Sequence, residues 1–253
     1  MVRACRDEYL EKCYHGCFDG VGEEMADLKS IASPFDSLAL DYDNWFEGEG
    51  RHIFAIENDA FQEILPSLPK PWLEVGVGSG RFAQALGIEI GLDSSAKLLD
   101  IARERDLNVL LGKGENTPFA EGTFGTVFLI VTLCFVDSPL RVLTEANRLL
   151  KQGGKVVLGL VLQESPWGQF YRVEKEKGHR FYKFATFYSY AEVTKLLEQA
   201  NFCVEKIIST LFQKPGEVEH MESPREGFYS DAGFTIILAK KIKSTNSKGG
   251  AYG

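Results

Sequence analysis

The stretch WLEVGVGSGRFA, Trp72 to Ala83, decides how the chain is read. A short apolar run carrying one acid, Glu74, leads into glycines at alternate positions, Gly76, Gly78 and Gly80. Glycine at every second position keeps side chains out of a turn, so something must pack close to this backbone. The turn leaves a strand and enters a helix, whose unpaired N–H groups favour a ligand with a negative group. The dinucleotide pattern G-x-G-x-x-G would place its third glycine at position 81. That residue is Arg81, and the third glycine is Gly80. Glu74, two residues before the first glycine, suits a pyrophosphate badly and a cationic ligand, an ammonium or a sulfonium, well. Asp93 follows nineteen residues after Glu74, at the end of the next strand, where an acid accepts hydrogen bonds from ribose hydroxyls.

Outward from this stretch, strands and helices alternate. IEIGLD and LNVLLG read as strands two and three, with the helix SSAKLLDIARERD between them and Ser94 or Ser95 as its N-cap. FGTVFLIVTLCFV contains strand four. SPLRVLTEANRLLKQGG reads as a helix ended by Gly153 and Gly154, and KVVLGLVL as strand five. Near-continuous apolar strands imply burial on both faces, hence a parallel sheet covered by helices. CVEKIISTLFQ and GFTIILAKK, joined without a helix, suggest an antiparallel pair closing one edge. The fold expected is therefore α/β, a doubly wound, seven-stranded, mostly parallel sheet. Its ligand site lies outside the carboxyl ends of the strands.

Residues 34–69 read as an N-terminal helical cap, with Phe54, Ala55, Asn58, Phe61 and Leu65 as its apolar face. Residues 163–190 read as a lid-like insertion, rich in aromatics and bases, that is neither a clean helix nor a clean strand. Residues 34–242 thus form one domain, preceded by a poorly defined leader, 1–33, and followed by a disordered tail, 243–253.

Bulk composition narrows the classes. The net charge of −8 argues against a sequence-independent grip on nucleic-acid phosphates and against an anionic membrane surface. No apolar run is long enough to span a bilayer, and the N-terminus lacks the apolar core of a secretory signal. A cytoplasmic protein, monomeric or homodimeric, is the expectation. Cys5, Cys13 and Cys17, with His15 among them, read as a soft-metal or metalloid site or as free thiols in a loose leader. They match no standard zinc spacing, and no metal is expected elsewhere.

At this point the chain resembles the class I S-adenosylmethionine-dependent methyltransferases of the small-molecule type, over roughly Tyr42 to Lys240. LEVGVGSGRF is similar to the first motif of that family, GLDSS to the second, GKGENTPFAEGTFGTVFLIVTLCFV to the third and fourth, and NRLLKQGGKVVLG to the fifth-strand region. The resemblance implies a Rossmann-like methyltransferase fold and S-adenosyl-L-methionine as cofactor. It implies that Glu74 lies near the methionine end of the cofactor, that Gly76, Gly78 and Gly80 pass beneath it, and that Asp93 meets the ribose with Ser94 beside it. Gly114, Glu115 and Thr132 complete the expected cofactor shell. Two departures stand out: Lys113 replaces the acid that in the family contacts the adenine amino group, and Gly125 replaces the Asp before strand four.

No fixed catalytic residue is required, because a sulfonium methyl is already activated. Tyr42, Cys134 and His179 are candidates; so are Trp45 and Phe46 as a wall over the cofactor, and His52 as a base. The insertion suits an apolar acceptor bearing a negative group, or it is a satellite core with a solvated charged face. A cofactor-binding sensor or partner subunit without turnover is the alternative to an enzyme. A nicotinamide dehydrogenase is disfavoured by Arg81 and Glu74.

Overall fold

A computed structural model describes residues 33–242. Cys5, Cys13, Cys17, His15 and the 243–253 tail lie outside the described residues. Eight strands form a single sheet in the order β3-β2-β1-β4-β5-β8-β6-β7. They are β1 (Trp72–Val75), β2 (Ile90–Asp93), β3 (Asn108–Leu111), β4 (Phe124–Ile130), β5 (Leu150–Leu160), β6 (Phe202–Thr210), β7 (Arg225–Glu226) and β8 (Phe234–Lys241). The first five run parallel. β8 lies antiparallel between β5 and β6, as the late apolar runs led one to expect. The count is eight rather than seven because two residues, Arg225 and Glu226, pair with the outer edge of β6.

Among the described residues seven α-helices cover the sheet: α1 (Ala39–Trp45), α2 (Arg51–Phe61), α3 (Arg81–Leu86), α4 (Ala96–Arg103), α5 (Pro139–Leu149), α6 (Pro166–Glu176) and α7 (Tyr190–Gln199). All seven residues of β4 are buried, as a central strand covered on both faces must be. One core holds α2, α3 and α4 with the aromatic residues of α6. The other holds α5 and α7. Among the described residues no helix is long and apolar enough to cross a membrane.

Three sequence expectations need correction. Gly153 and Gly154 do not end α5, which stops at Leu149; they sit within β5, where its register against β4 shifts. The insertion contains a regular helix, α6, capped by the Ser165 hydroxyl, which accepts from Gly168 N–H at 2.9 Å. Its aromatic residues masked the helical period, since both faces carry them. The buried face of α2 is Ile53, Ile56, Glu57, Ala60 and Phe61, rotated by about one residue from the face expected.

Arg81, the departure from the dinucleotide pattern, bolts α1 to this frame. Its Nε and Nη2 donate to the two carboxylate oxygens of Asp43 at 2.8 and 2.9 Å. Arg105 donates to the same two oxygens at 2.9 Å and to the Ser79 carbonyl at 2.9 Å. Burial would raise the pKa of Asp43, but hydrogen bonds led by Arg81 outweigh it and hold the group down at about 2. A depressed carboxyl stabilises the fold above its unfolded pKa, and that stabilisation is lost as pH falls from about 4 to about 2. Asp43→Asn is expected to cost about 2–3 kcal/mol at pH 7, the scale for hydrogen bonds to a charged group. In denaturant melts across pH, the gap between variant and wild type should close on acidification; a pH-independent gap would contradict this role.

Candidate functional site

The site grows from the divergence of two loops. β1 is flanked by β2 on one side and β4 on the other, and the chain leaves β1 and β4 toward opposite faces. Asp93, at the end of β2, closes the gap. Its Oδ2 accepts the Gly78 N–H and its Oδ1 the Ser95 N–H, both at 2.8 Å. Gly76 and Val77 N–H donate to the Leu92 carbonyl at 2.7 and 3.1 Å. Burial raises the pKa of Asp93, opposed by the N–H groups of Ser95, Gly78 and Ser94. A carboxylate offers about four acceptor positions, so each oxygen keeps capacity for one further donor.

All three glycines have positive φ, and a Cβ would meet a different neighbour at each. A Cβ on Gly76 would collide with the Thr132 side chain, and one on Gly80 with Leu107, packed beyond the end of α4. Gly78 has φ +55° and open space apart from Tyr42 at 3.5 Å. Of the three, Gly80 does not line the cavity above the loop. It packs against Leu107 and Ala102.

That cavity has a volume of about 260 Å³. Its floor includes Gly76, Gly78, Asp93 and Ser94, and one side includes Gly114, Glu115 and Thr132. Thr132 donates its hydroxyl to the Ile130 carbonyl at 3.0 Å, which holds its methyl against Gly76. The roof is Pro34, Phe35, Tyr42 and Phe184. Phe35 meets Tyr42, Phe135 and Phe184 with ring centroids 5.9, 5.1 and 6.2 Å away. The N-terminal segment and the insertion thus close over the site together.

Glu74 is 2 % exposed and does not itself line this cavity, but it is close enough to Tyr42 and Asp93 to act on both electrostatically. Its Oε2 has no hydrogen-bond partner among the described residues. Burial, then repulsion from Asp93, push its pKa well up, and the Ala83 N–H only partly offsets them. At the far end, Lys113 pairs with Asp137 at 3.2 Å, and both line the cavity. Glu115 Oε1 accepts the Ser138 N–H at 3.3 Å, at the start of α5, so this carboxylate is already engaged. Asp137, from the loop after β4, thus brings a carboxylate to the end of the cavity where the sequence has Lys113.

The catalytic candidates separate. Tyr42 lines the large cavity, but burial holds its hydroxyl firmly protonated, so it is a wall and no base. Phe46 is buried core, and Trp45 packs against it. His52 is exposed. His179 stacks on Tyr182 with centroids 4.5 Å apart and lines neither cavity. Cys134 lines a second, inner chamber of about 40 Å³, and burial pushes its thiol up to about 12.

This inner chamber is walled by Leu160, Leu162, Tyr171, Tyr182 and Phe187, and shares Val131 and Phe135 with the large cavity. Val131 has φ +51°, costly for a β-branched residue, and its N–H is tied to the Gly159 carbonyl at 2.8 Å. This strained junction was invisible in sequence. The tyrosines were visible only as members of an aromatic run. The bases of the insertion point away: Arg180 pairs with Asp41 at 2.8 Å, Lys177 with Glu174 at 2.7 Å, and Lys175 donates to the Ala185 carbonyl at 2.6 Å.

Comparison with known proteins agrees with this geometry. Residues 73–158 match the family described as methyltransferase domain. A crystal structure from Thermotoga maritima, titled a SAM-dependent methyltransferase and "possible histamine N-methyltransferase", is 38% identical, with a TM-score of 0.77. The match covers 83% of this chain and 98% of that one. An uncharacterized protein of Methanocaldococcus jannaschii is 37% identical over 82% of this chain and 98% of its own. One of Mycobacterium tuberculosis is 38% identical over 83% of this chain and 74% of its own.

A buried carboxyl whose folded pKa is raised loses stability as pH rises above its unfolded pKa of about 4.5. Glu74→Gln removes that loss. The variant should melt above wild type at pH 7, and the difference should shrink toward pH 4.5. A lower melting temperature at pH 7 would mean that Glu74 is paired and stabilising.

Proposed function

The chain belongs to the class I S-adenosylmethionine-dependent methyltransferases, and on that basis we propose that it methylates a small-molecule acceptor held in the inner chamber behind Val131. The observation that carries this reading is the pair of adjoining cavities, one polar-floored and large, one apolar and small, meeting at a strained backbone. S-adenosylmethionine supplies a methyl group on a positively charged sulfur, which needs no further activation.

The residues present fit such a cofactor. Asp93 has free acceptor positions for ribose hydroxyls while staying fixed by two N–H groups. The unpartnered Oε2 of Glu74 suits the cationic amino-acid end. Gly76 and Gly78 leave the backbone bare for close approach. Gly114 and the Asp137 carboxylate are the groups that would read the base, in place of the missing acid at Lys113.

The chain's own contribution is then alignment and exclusion of water. Phe35, Tyr42 and Phe184 cover the large cavity, and Phe135 and Val131 stand between it and the acceptor chamber. Alignment of this kind accounts for at most about 7–11 kcal/mol of a barrier. With the bases of the insertion paired or turned to solvent, nothing in the chamber favours an acceptor with a negative group. A roofed, acidic site also suits a small molecule better than a nucleic acid.

Two measurements test the reading. Calorimetry with S-adenosylhomocysteine should show binding that Asp93→Ala weakens by about 1.5–3 kcal/mol, roughly 10- to 150-fold. Incubation with methyl-labelled S-adenosylmethionine and a metabolite extract should give extract-dependent S-adenosylhomocysteine. Undiminished binding by Asp93→Ala would move the cofactor elsewhere. Binding without any extract-dependent turnover would favour a sensor over an enzyme.

A further inference from the structure

We propose that the acceptor is a small thioether, and that the aromatic side chains of the inner chamber receive the positive charge its sulfur acquires on methylation. This rests on the methyltransferase reading above.

Size is the first argument. The chamber measures about 40 Å³, whereas an apolar cavity that takes benzene measures about 150 Å³. It therefore admits the end of a molecule, a methyl-bearing sulfur, and not a ring. Thr186, an exposed residue, also lines it, so the remainder of the acceptor can lead out past that side chain. Inward, the chamber reaches Val131 and Phe135, the two residues it shares with the cofactor cavity.

The chemistry of the lining is the second. None of the described residues that line the chamber is an acid, a lysine, an arginine or a histidine. The Tyr171 and Tyr182 hydroxyls hydrogen-bond to one another, and the Cys134 thiol donates to the Val131 carbonyl at 3.5 Å. Burial keeps these three groups and the Tyr188 hydroxyl protonated, so none of them serves as a base. The acceptor atom must then bring a lone pair that carries no proton. An aliphatic amine or a thiol would first have to lose one near neutral pH. A thioether sulfur has its lone pair free at every pH.

Charge is the third. Transfer carries the positive charge from a cavity floored by Asp93 into a chamber with no carboxylate in its wall. Ring faces are what can meet it there. Tyr171 stacks on Tyr182 with centroids 4.1 Å apart and planes at 26°, and Phe187 lies 6.3 Å from Tyr171 at 25°, so three rings stand nearly parallel. Phe135 and Tyr188 add two more to the lining. A sulfonium has no N–H to satisfy, so ring faces suffice for it; an ammonium would leave buried donors unpaired.

The step balances without a proton. A lone pair of the acceptor sulfur forms the bond to the methyl carbon as the carbon–sulfur bond of S-adenosylmethionine breaks, and that electron pair stays on the cofactor's sulfur. One sulfonium becomes a thioether, and one thioether a sulfonium.

The test begins with calorimetry on protein saturated with S-adenosylhomocysteine, using trimethylsulfonium and, as a neutral molecule of similar size, tert-butanol. The sulfonium should bind about tenfold or more tightly than the alcohol. Tyr182→Leu and Phe187→Leu should each lower that ratio by about threefold or more. Val193→Phe, which fills the chamber, should abolish sulfonium binding. All three variants should keep their affinity for S-adenosylhomocysteine, which also reports that they fold. With methyl-labelled S-adenosylmethionine, dimethyl sulfide or methyl propyl sulfide should become labelled, with a kcat that is flat from about pH 6 to about pH 9, because no base titrates. Propylamine, histamine and propanethiol should not be labelled. A sulfonium bound no better than the alcohol, a ratio unchanged in both leucine variants, sulfonium binding undiminished in Val193→Phe, or an amine or thiol labelled in place of the sulfides overturns the proposal, and so does the absence of any labelled sulfide. Failure of the wild type to bind S-adenosylhomocysteine at all would instead overturn the methyltransferase reading.

Discussion

One carboxylate holds the site together. Asp93 ends β2, yet it accepts N–H groups from the loop after β1 and from the turn that starts α4. A parallel sheet has no hydrogen bonds beyond its strand ends, so loops there are free to spread unless a side chain replaces the ladder. Asp93 is that replacement. Because two oxygens satisfy two backbone donors, the loop is rigid and the same carboxylate still presents acceptors to the cavity. Positioning and binding reside in one group.

Around this floor, the roof comes from the segment before and including α1 and from the insertion after β5. Arg81 and Arg105 share Asp43, which fixes α1. The Ser95 hydroxyl donates to Asp36 at 2.6 Å, which fixes the segment before α1 on the start of α4. From the other side, Tyr42 meets Phe181 with centroids 5.8 Å apart, and Arg180 reaches Asp41. The interior below is acidic and aromatic. Glu57 and Glu74 are buried, and burial raises the pKa of each. Such groups oppose folding on their own account, which is the usual mark of residues kept for chemistry.

Much of this was legible from residue types in order. Alternation of apolar runs with helical periods is local, and it located β1 to β5, the antiparallel late strands and the Glu74–Gly–Asp93 motif. Errors arose where a local rule met a long-range contact. Gly153 and Gly154 read as a helix stop, but pairing with β4 drew them into a bulged strand. The face of α2 was misplaced because Phe54 and Phe61 are both aromatic, and only packing on Phe82 and Phe234 separates half-buried from buried. The bond from the Ser138 N–H to Glu115, twenty-three residues apart, had no local signal either.

The amino-acid order by itself determined the sheet, the loop that bears the cofactor site and the two acids beside it, because hydrophobic period and glycine spacing act over a few residues. Tertiary structure alone decided why each glycine is required. Thr132 excludes a side chain at Gly76, Leu107 at Gly80, and backbone conformation at Gly78. It also decided that Asp137 pairs with Lys113 at the cavity edge and that Val131 is strained. Each of these depends on groups distant in sequence meeting at the strand ends, and no spacing rule encodes such a meeting.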